Sequence, residues 1–129
     1  MCLHRFFLLM DFVISNTFHG WPISVFINLT FAHFLCDFAL QNDKMAVEKC
    51  PGRDVTLPWY WWLTAHSATH GLAVSLITGI PFLGVLELLL HFLLDYSKCR
   101  FRLSLALDQA GHIFCKFLWA SSLVWIGAS

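Results

Sequence analysis

The sequence predicts an all-α polytopic membrane protein, a four-helix transmembrane bundle, and three observations carry that reading. Hydrophobic residues make up 58% of the chain and charged residues only 12%, about half the share usual in soluble domains. The mean hydropathy is +0.67. Four apolar runs approach or reach the length needed to cross a bilayer. In lipid, backbone polar groups must be paired within their own segment, which leaves helices as the sensible state for those runs. At 129 residues the chain has room for one domain. The formal net charge is zero and the Lys and Arg residues form no extended patch, so membrane lipid is the expected partner and nucleic acid is not.

Residues 1–21 form an N-terminal extension whose apolar core, "FFLLMDFVI", is interrupted by Asp11. Nine residues span only about 14 Å as a helix, and no small-residue cleavage site follows. An interfacial helix, or a start site assigned too far upstream, is expected there rather than a signal peptide. The first spanning helix is expected at about 22–41, "PISVFINLTFAHFLCDFALQ", followed by a polar segment at 42–58. The second, about 59–80, opens on the aromatic cluster "WYWW", the kind that settles at headgroup level. Gly79 and Pro81 punctuate a tight turn. A third helix follows at about 82–97, short for a span, then the basic stretch "KCRFR" and a fourth helix at about 103–126.

Orientation follows from charge. Lys44, Lys49 and Arg53 lie in one loop, and Lys98, Arg100 and Arg102 in another on the same side of four crossings. The positive-inside rule puts both loops in the cytoplasm. Cys50 and Cys99, on those loops, are then expected as reduced thiols. The five cysteines show no CxxC spacing and no disulfide framework.

Each helix carries one pair of metal-ligand side chains spaced i,i+4: His33/Asp37, His66/His70, His91/Asp95 and Asp108/His112. That spacing puts both members on one helix face. With a rise of about 1.5 Å per residue, all eight fall within about 18 Å of the basic-loop ends of their helices. Hydrophobicity alone does not require that agreement. One intramembrane histidine is often interhelical hydrogen-bonding glue, but a buried Asp costs about 2.5–3.5 kcal/mol on the insertion scale. Three such Asp residues call for compensation, and a bound cation supplies it. Mixed His/Asp ligation suits Zn²⁺, Fe²⁺ or Mn²⁺, and eight candidates are enough for two ions. Gln41 and Gln109 stand where they could orient ligating carboxylates or hold substrate. Glu87, one turn before His91, and Lys116, one turn after His112, extend the polar stripe. Those two are expected to pair across neighbouring helices and to cap the layer, with an apolar plug beyond.

The stretches "HFLCDFALQ", "HSATH", "HFLLDYSK" and "DQAGH" resemble the signature of the domain-of-unknown-function family 3307, small membrane proteins of bacteria and phages. The resemblance covers roughly residues 29–126 and matches His33, Asp37, Gln41, His66, His70, His91, Asp95, Lys98, Asp108, Gln109 and His112. It implies a multi-pass protein of the bacterial inner membrane and no particular activity. More distantly, the His/Asp layout is similar to that of membrane-bound metal-dependent hydrolases. Three functions are therefore expected as alternatives. The first is a metal-dependent hydrolase acting on a lipid or lipid-linked phosphate, which a metal-activated water at headgroup depth would serve. The second is a proton or metal-ion transporter, for which the chain would form a homo-oligomer to enclose a path. The third is a non-catalytic phage or host membrane factor whose polar network only holds the fold.

Overall fold

The computed structural model describes residues 22–127, and the N-terminal extension expected at 1–21 lies outside the described residues. Among these residues all regular structure is helical. Helix α1 spans Pro22–Phe34 and continues as a π-helical turn over Leu35–Leu40. A short helix, α2 (Asp43–Glu48), follows in what reads from sequence as an irregular polar loop. The Asn42 side chain caps it by accepting from the Met45 backbone N–H at 2.8 Å, the usual role of Asn at that position. Then come α3 (Trp59–Thr78), α4 (Pro81–Phe101) and α5 (Leu105–Gly127).

The helix ends follow local chemistry. Gly79 closes α3 in the left-handed region, φ 70°, with its N–H on the Ser75 carbonyl, the conformation a Cβ disfavours. Pro81 opens α4 from its first turn, where its missing N–H is no loss. The third long helix therefore starts at Pro81 and runs on to Phe101, 21 residues, through the basic stretch assigned from sequence to a loop.

Helices α3 and α4 form the tightest pair. A Cβ on Gly71 would stand 2.6 Å from the Gly84 carbonyl oxygen, and one on Gly84 would stand 2.5 Å from that of Gly71. The two glycines thus let the backbones touch, as small residues do at membrane helix crossings.

Each long helix buries one stripe, and the stripe changes character from one end of the bundle to the other. At one end Val25, Leu29, Val74, Leu83, Trp119 and Ala120 form an apolar cluster. Toward the other end the buried positions are His33, His66, His70, Glu87, His91, Asp95, Asp108, His112 and Lys116. The outside is apolar instead: Phe31, Phe38, Leu72, Phe82, Leu93, Phe101, Phe114 and Trp125 are all exposed. One helical stretch, Pro22–Leu40, is long and apolar enough to cross a membrane by length and composition. The other three long helices carry the buried polar residues, which lower their hydropathy.

The structure corrects the reading of the cysteines. Cys50 and Cys99 form a disulfide across 49 residues of sequence, rather than standing as separate thiols. Helix α2 turns the 42–58 segment back over the bundle and lays Cys50 against the end of α4, a juxtaposition that spacing alone does not reveal. Cys36 and Cys115 are free and buried.

Candidate metal centre

The π-helical turn places the first carboxylate. Within Leu35–Leu40, Cys36 is buried while Leu35, Phe38 and Leu40 stay exposed. Asp37 then points toward the bundle with its side chain 10% exposed. Such turns widen the helix locally and recur at functional sites. Helix α3 contributes His66 and His70, α4 contributes Glu87, His91 and Asp95, and α5 contributes Asp108, His112 and Lys116, all buried.

All eight residues singled out as ligands converge. His91 sits at the centre, stacked on His70 with ring centroids 3.7 Å apart, and 4.1 Å from His112. His66 and His33 lie 5.0 and 6.1 Å from it. Asp37 Oδ1 is 3.0 Å from His70 Nε2 and 3.2 Å from His66 Nε2. Asp95 Oδ1 is 3.3 Å from His112 Nε2, and Asp108 Oδ1 is 3.5 Å from the same atom.

Three lysines neutralise three of the four carboxylates in this layer, Asp37, Glu87, Asp95 and Asp108. Lys49 Nζ stands 2.5 Å from Asp95 Oδ2, and Lys98 Nζ 2.6 Å from Asp108 Oδ2. Lys116 pairs with Glu87, which also accepts from the Trp119 indole N–H at 2.5 Å. Lys116 is 1% exposed, so its ammonium stays inside the bundle. The Glu87–Lys116 pair lies between the His/Asp layer and the apolar cluster. Asp37 is the carboxylate left without a lysine among the described residues. Its other oxygen accepts from Gln109 Nε2 at 2.7 Å, while the Gln109 carbonyl lies 3.0 Å from His33 Nε2. Gln41 donates to the Asp37 backbone carbonyl rather than to a carboxylate.

Several polar atoms in the layer have no hydrogen bond. Asp37 Oδ1, His66 Nε2, His70 Nε2 and both nitrogens of His91 are buried without a hydrogen-bonding partner. The two Nε2 atoms lie within reach of the Asp37 oxygen, yet neither N–H is aimed at it. Leaving a buried polar atom unsatisfied costs about 1–3 kcal/mol, so such a cluster needs an explanation. Asp37, His66, His70 and His91 each offer one ligand atom, all within 4.8 Å of one another. Bonds of about 2.0–2.1 Å in a tetrahedron put ligand atoms about 3.3 Å apart, close to the two Asp37–His separations. His33/His91/His112 and Asp95/Asp108/His112 form two further groups within the same limit.

Sequence reading missed Lys49 and Glu48. Lys49 looks like a solvated loop charge, but it is 6% exposed and lies on Asp95. Glu48 accepts from the backbone N–H groups of Val55 and Thr56, from the Thr56 hydroxyl and from the Trp62 indole. The available signal was the dipeptide Lys-Cys, which occurs at 49–50 and again at 98–99.

A search of curated proteins and a search of solved structures each give no match to this chain. Residues 25–129, which include every residue of the His/Asp layer, match the family described as "Protein of unknown function (DUF3307)", and the chain belongs to that family.

Proposed function

We propose that this chain is a multi-pass membrane protein that binds one divalent cation through Asp37, His66, His70 and His91, and that it serves as a metal-dependent hydrolase of a lipid or lipid-linked phosphate. The observation that carries the metal is the charge and bonding state of Asp37. The layer holds four carboxylates and three ammonium groups, and Asp37 is the carboxylate with no ammonium on it. Two imidazole nitrogens face its Oδ1 at 3.0 and 3.2 Å without hydrogen-bond geometry. A cation there would satisfy the carboxylate and the orphaned nitrogens together. The donors are imidazole and carboxylate with no thiolate, a set suited to Zn²⁺, Fe²⁺ or Mn²⁺.

The bilayer placement rests on the inverted distribution of polarity. Charged and histidine side chains line the interior, while large apolar ones such as Phe31, Phe82, Phe114 and Trp125 cover the outside. Buried ionisable groups of this kind mark function in membrane helices. The basic loops would face the cytoplasm.

A bound divalent ion would lower the pKa of a water and polarise a phosphoryl oxygen. The chain's own groups would position the substrate. Gln41, Gln109 and Lys98 are half-buried beside Asp37 and Asp108, on the side nearest the headgroups. The apolar cluster at the opposite end, with Val25, Leu29, Val74 and Trp119, offers no polar continuation for an ion path, which favours hydrolysis over transport. The orphaned nitrogens disfavour a network that merely satisfies itself.

The test is release of inorganic phosphate from vesicles carrying phosphatidic acid, with the reconstituted protein saturated with Mn²⁺ or Zn²⁺. Release that stops with a chelator and in His70→Ala supports the reading. Undiminished release from chelated protein, or no release from any phospholipid phosphate or polyprenyl diphosphate tried, contradicts it.

A further inference from the structure

The disulfide joins the two positions that hold lysines over the acid layer. Cys50 follows Lys49, whose ammonium covers Asp95, and Cys99 follows Lys98, whose ammonium covers Asp108. The cysteine Cα atoms are 5.4 Å apart. Lys49 caps the C-terminal end of α2 and Lys98 lies in α4, so the sulfur bridge fastens both lysines to one end of the bundle. Beneath them lies a second group of ligand atoms: Asp95, Asp108 and His112, all within 4.8 Å of one another and all buried. Asp108 Oδ1 is buried and has no hydrogen-bonding partner, and it faces His112 Nε2 at 3.5 Å.

From this we infer that Cys50–Cys99 is a redox clasp on a lysine lid, and that opening it lets a second divalent cation replace the two ammonium groups at Asp95, Asp108 and His112. The inference extends the proposed metal binding at Asp37 to a neighbouring, covered site. The exchange conserves charge: two ammonium groups leave two carboxylates and one divalent ion takes their place. While the bridge is closed, Lys49 is tethered beside α4 and its ammonium has a high effective concentration at Asp95. Once it opens, Glu48 still ties the end of α2 to Val55, Thr56 and Trp62. Lys49 can then withdraw about that anchor. Lys98 is already 30% exposed along its side chain and can turn outward.

The chemistry is thiol–disulfide exchange with a dithiol. One reductant thiolate attacks a cysteine sulfur and forms a mixed disulfide, and the second reductant thiol closes its own ring. Two electrons and two protons pass to Cys50 and Cys99, whose S–S bond breaks as the reductant's forms. A disulfide on a face expected in the cytoplasm fits this role, because cytosolic disulfides are usually transient and redox-sensing.

The experiment uses the full chain in detergent, equilibrated with Mn²⁺ by dialysis, with manganese per chain measured by elemental analysis. Mn²⁺ is chosen because thiolates bind it poorly, so freed cysteines do not add a site. Three samples are compared: oxidised protein, protein reduced with dithiothreitol that is then removed without air, and Cys50→Ser/Cys99→Ser. Reduced and serine proteins should each hold one more ion per chain than oxidised protein, and Asp108→Asn in the serine background should remove that ion. In parallel, amine-reactive labelling of Lys49, read by mass spectrometry, should rise at least several-fold on reduction. Equal manganese in all three samples, or no rise in Lys49 labelling, overturns the proposal. Failure at Asp37 is distinguishable, since it would lower all three counts by one ion and leave the gain on reduction intact.

Discussion

Lys49 reaches Asp95 across 46 residues of sequence, with Nζ 2.5 Å from Oδ2 and both residues buried. The contact ties a helix in the polar segment to the acid layer inside the bundle. Breaking a buried ion pair from one side leaves an uncompensated charge, which costs about 3–5 kcal/mol. Lys49→Met should therefore destabilise the detergent-solubilised protein by about 3 kcal/mol in a thermal melt. A loss below about 0.5 kcal/mol would mean that Lys49 does not sit on Asp95.

Glu87 and Lys116 should behave as a unit. Glu87→Gln strands the ammonium of Lys116 in a buried site, whereas Glu87→Gln combined with Lys116→Met leaves no unpaired charge. The single change should cost more than the double by at least about 1 kcal/mol in a double-mutant cycle. Additive losses would contradict the pairing.

Gly71→Ala and Gly84→Ala should each loosen the α3–α4 crossing, since either new methyl group meets a backbone carbonyl at 2.6 or 2.5 Å. Overpacking of this kind costs about 1–3 kcal/mol. Gly111→Ala is the control. Its Cβ would meet only Leu94 side-chain carbons at 3.4 and 3.8 Å, and alanine favours the helix by up to about 1 kcal/mol. Melting all three variants separates close backbone approach from helix propensity. Equal shifts in the three would rule out the crossing as the cause.

Glu48 gives the loop an acid limb. The Thr56 backbone N–H, with its hydroxyl, the Val55 N–H and the Trp62 indole, holds the carboxyl down at about 2 from an ordinary 4.5, against the opposing effect of burial. Because the folded pKa lies below the unfolded one, ionised Glu48 stabilises the fold fully above about pH 4.5. That contribution is lost as pH falls toward 2. The stability gap between the natural protein and Glu48→Gln should be constant near neutrality and close between about pH 5 and pH 2. A gap unchanged down to pH 2 would contradict the assignment.

Much of this architecture was legible in the residues. The i,i+4 pairs had to share helix faces, and their common depth brought His33, Asp37, His66, His70, His91, Asp95, Asp108 and His112 into one layer. Gln109 follows the same logic, as does the Glu87–Lys116 pair, because two opposite charges one turn beyond that layer had few other partners. Lys49 was not legible in that way. Its burial depends on α2 folding back over the bundle, and that fold-back rests on Glu48 reaching Trp62 and on the Cys50–Cys99 bridge, both distant in sequence. The π-helical turn at Asp37 was equally hidden, since it leaves the i,i+4 spacing of His33 and Asp37 unchanged. Gln41 occupies the expected place but spends its amide on a backbone carbonyl.

Zinc content per chain decides whether Asp37 with His66, His70 and His91 forms a cation site. The measurement is elemental analysis of oxidised, detergent-purified protein dialysed against Zn²⁺ and then against metal-free buffer, beside Asp37→Asn handled identically. The natural protein should hold one zinc per chain and Asp37→Asn should lose most of it, with both proteins retaining the same helical circular dichroism. A natural protein without zinc, or an Asp37→Asn protein that keeps a full equivalent, would contradict it.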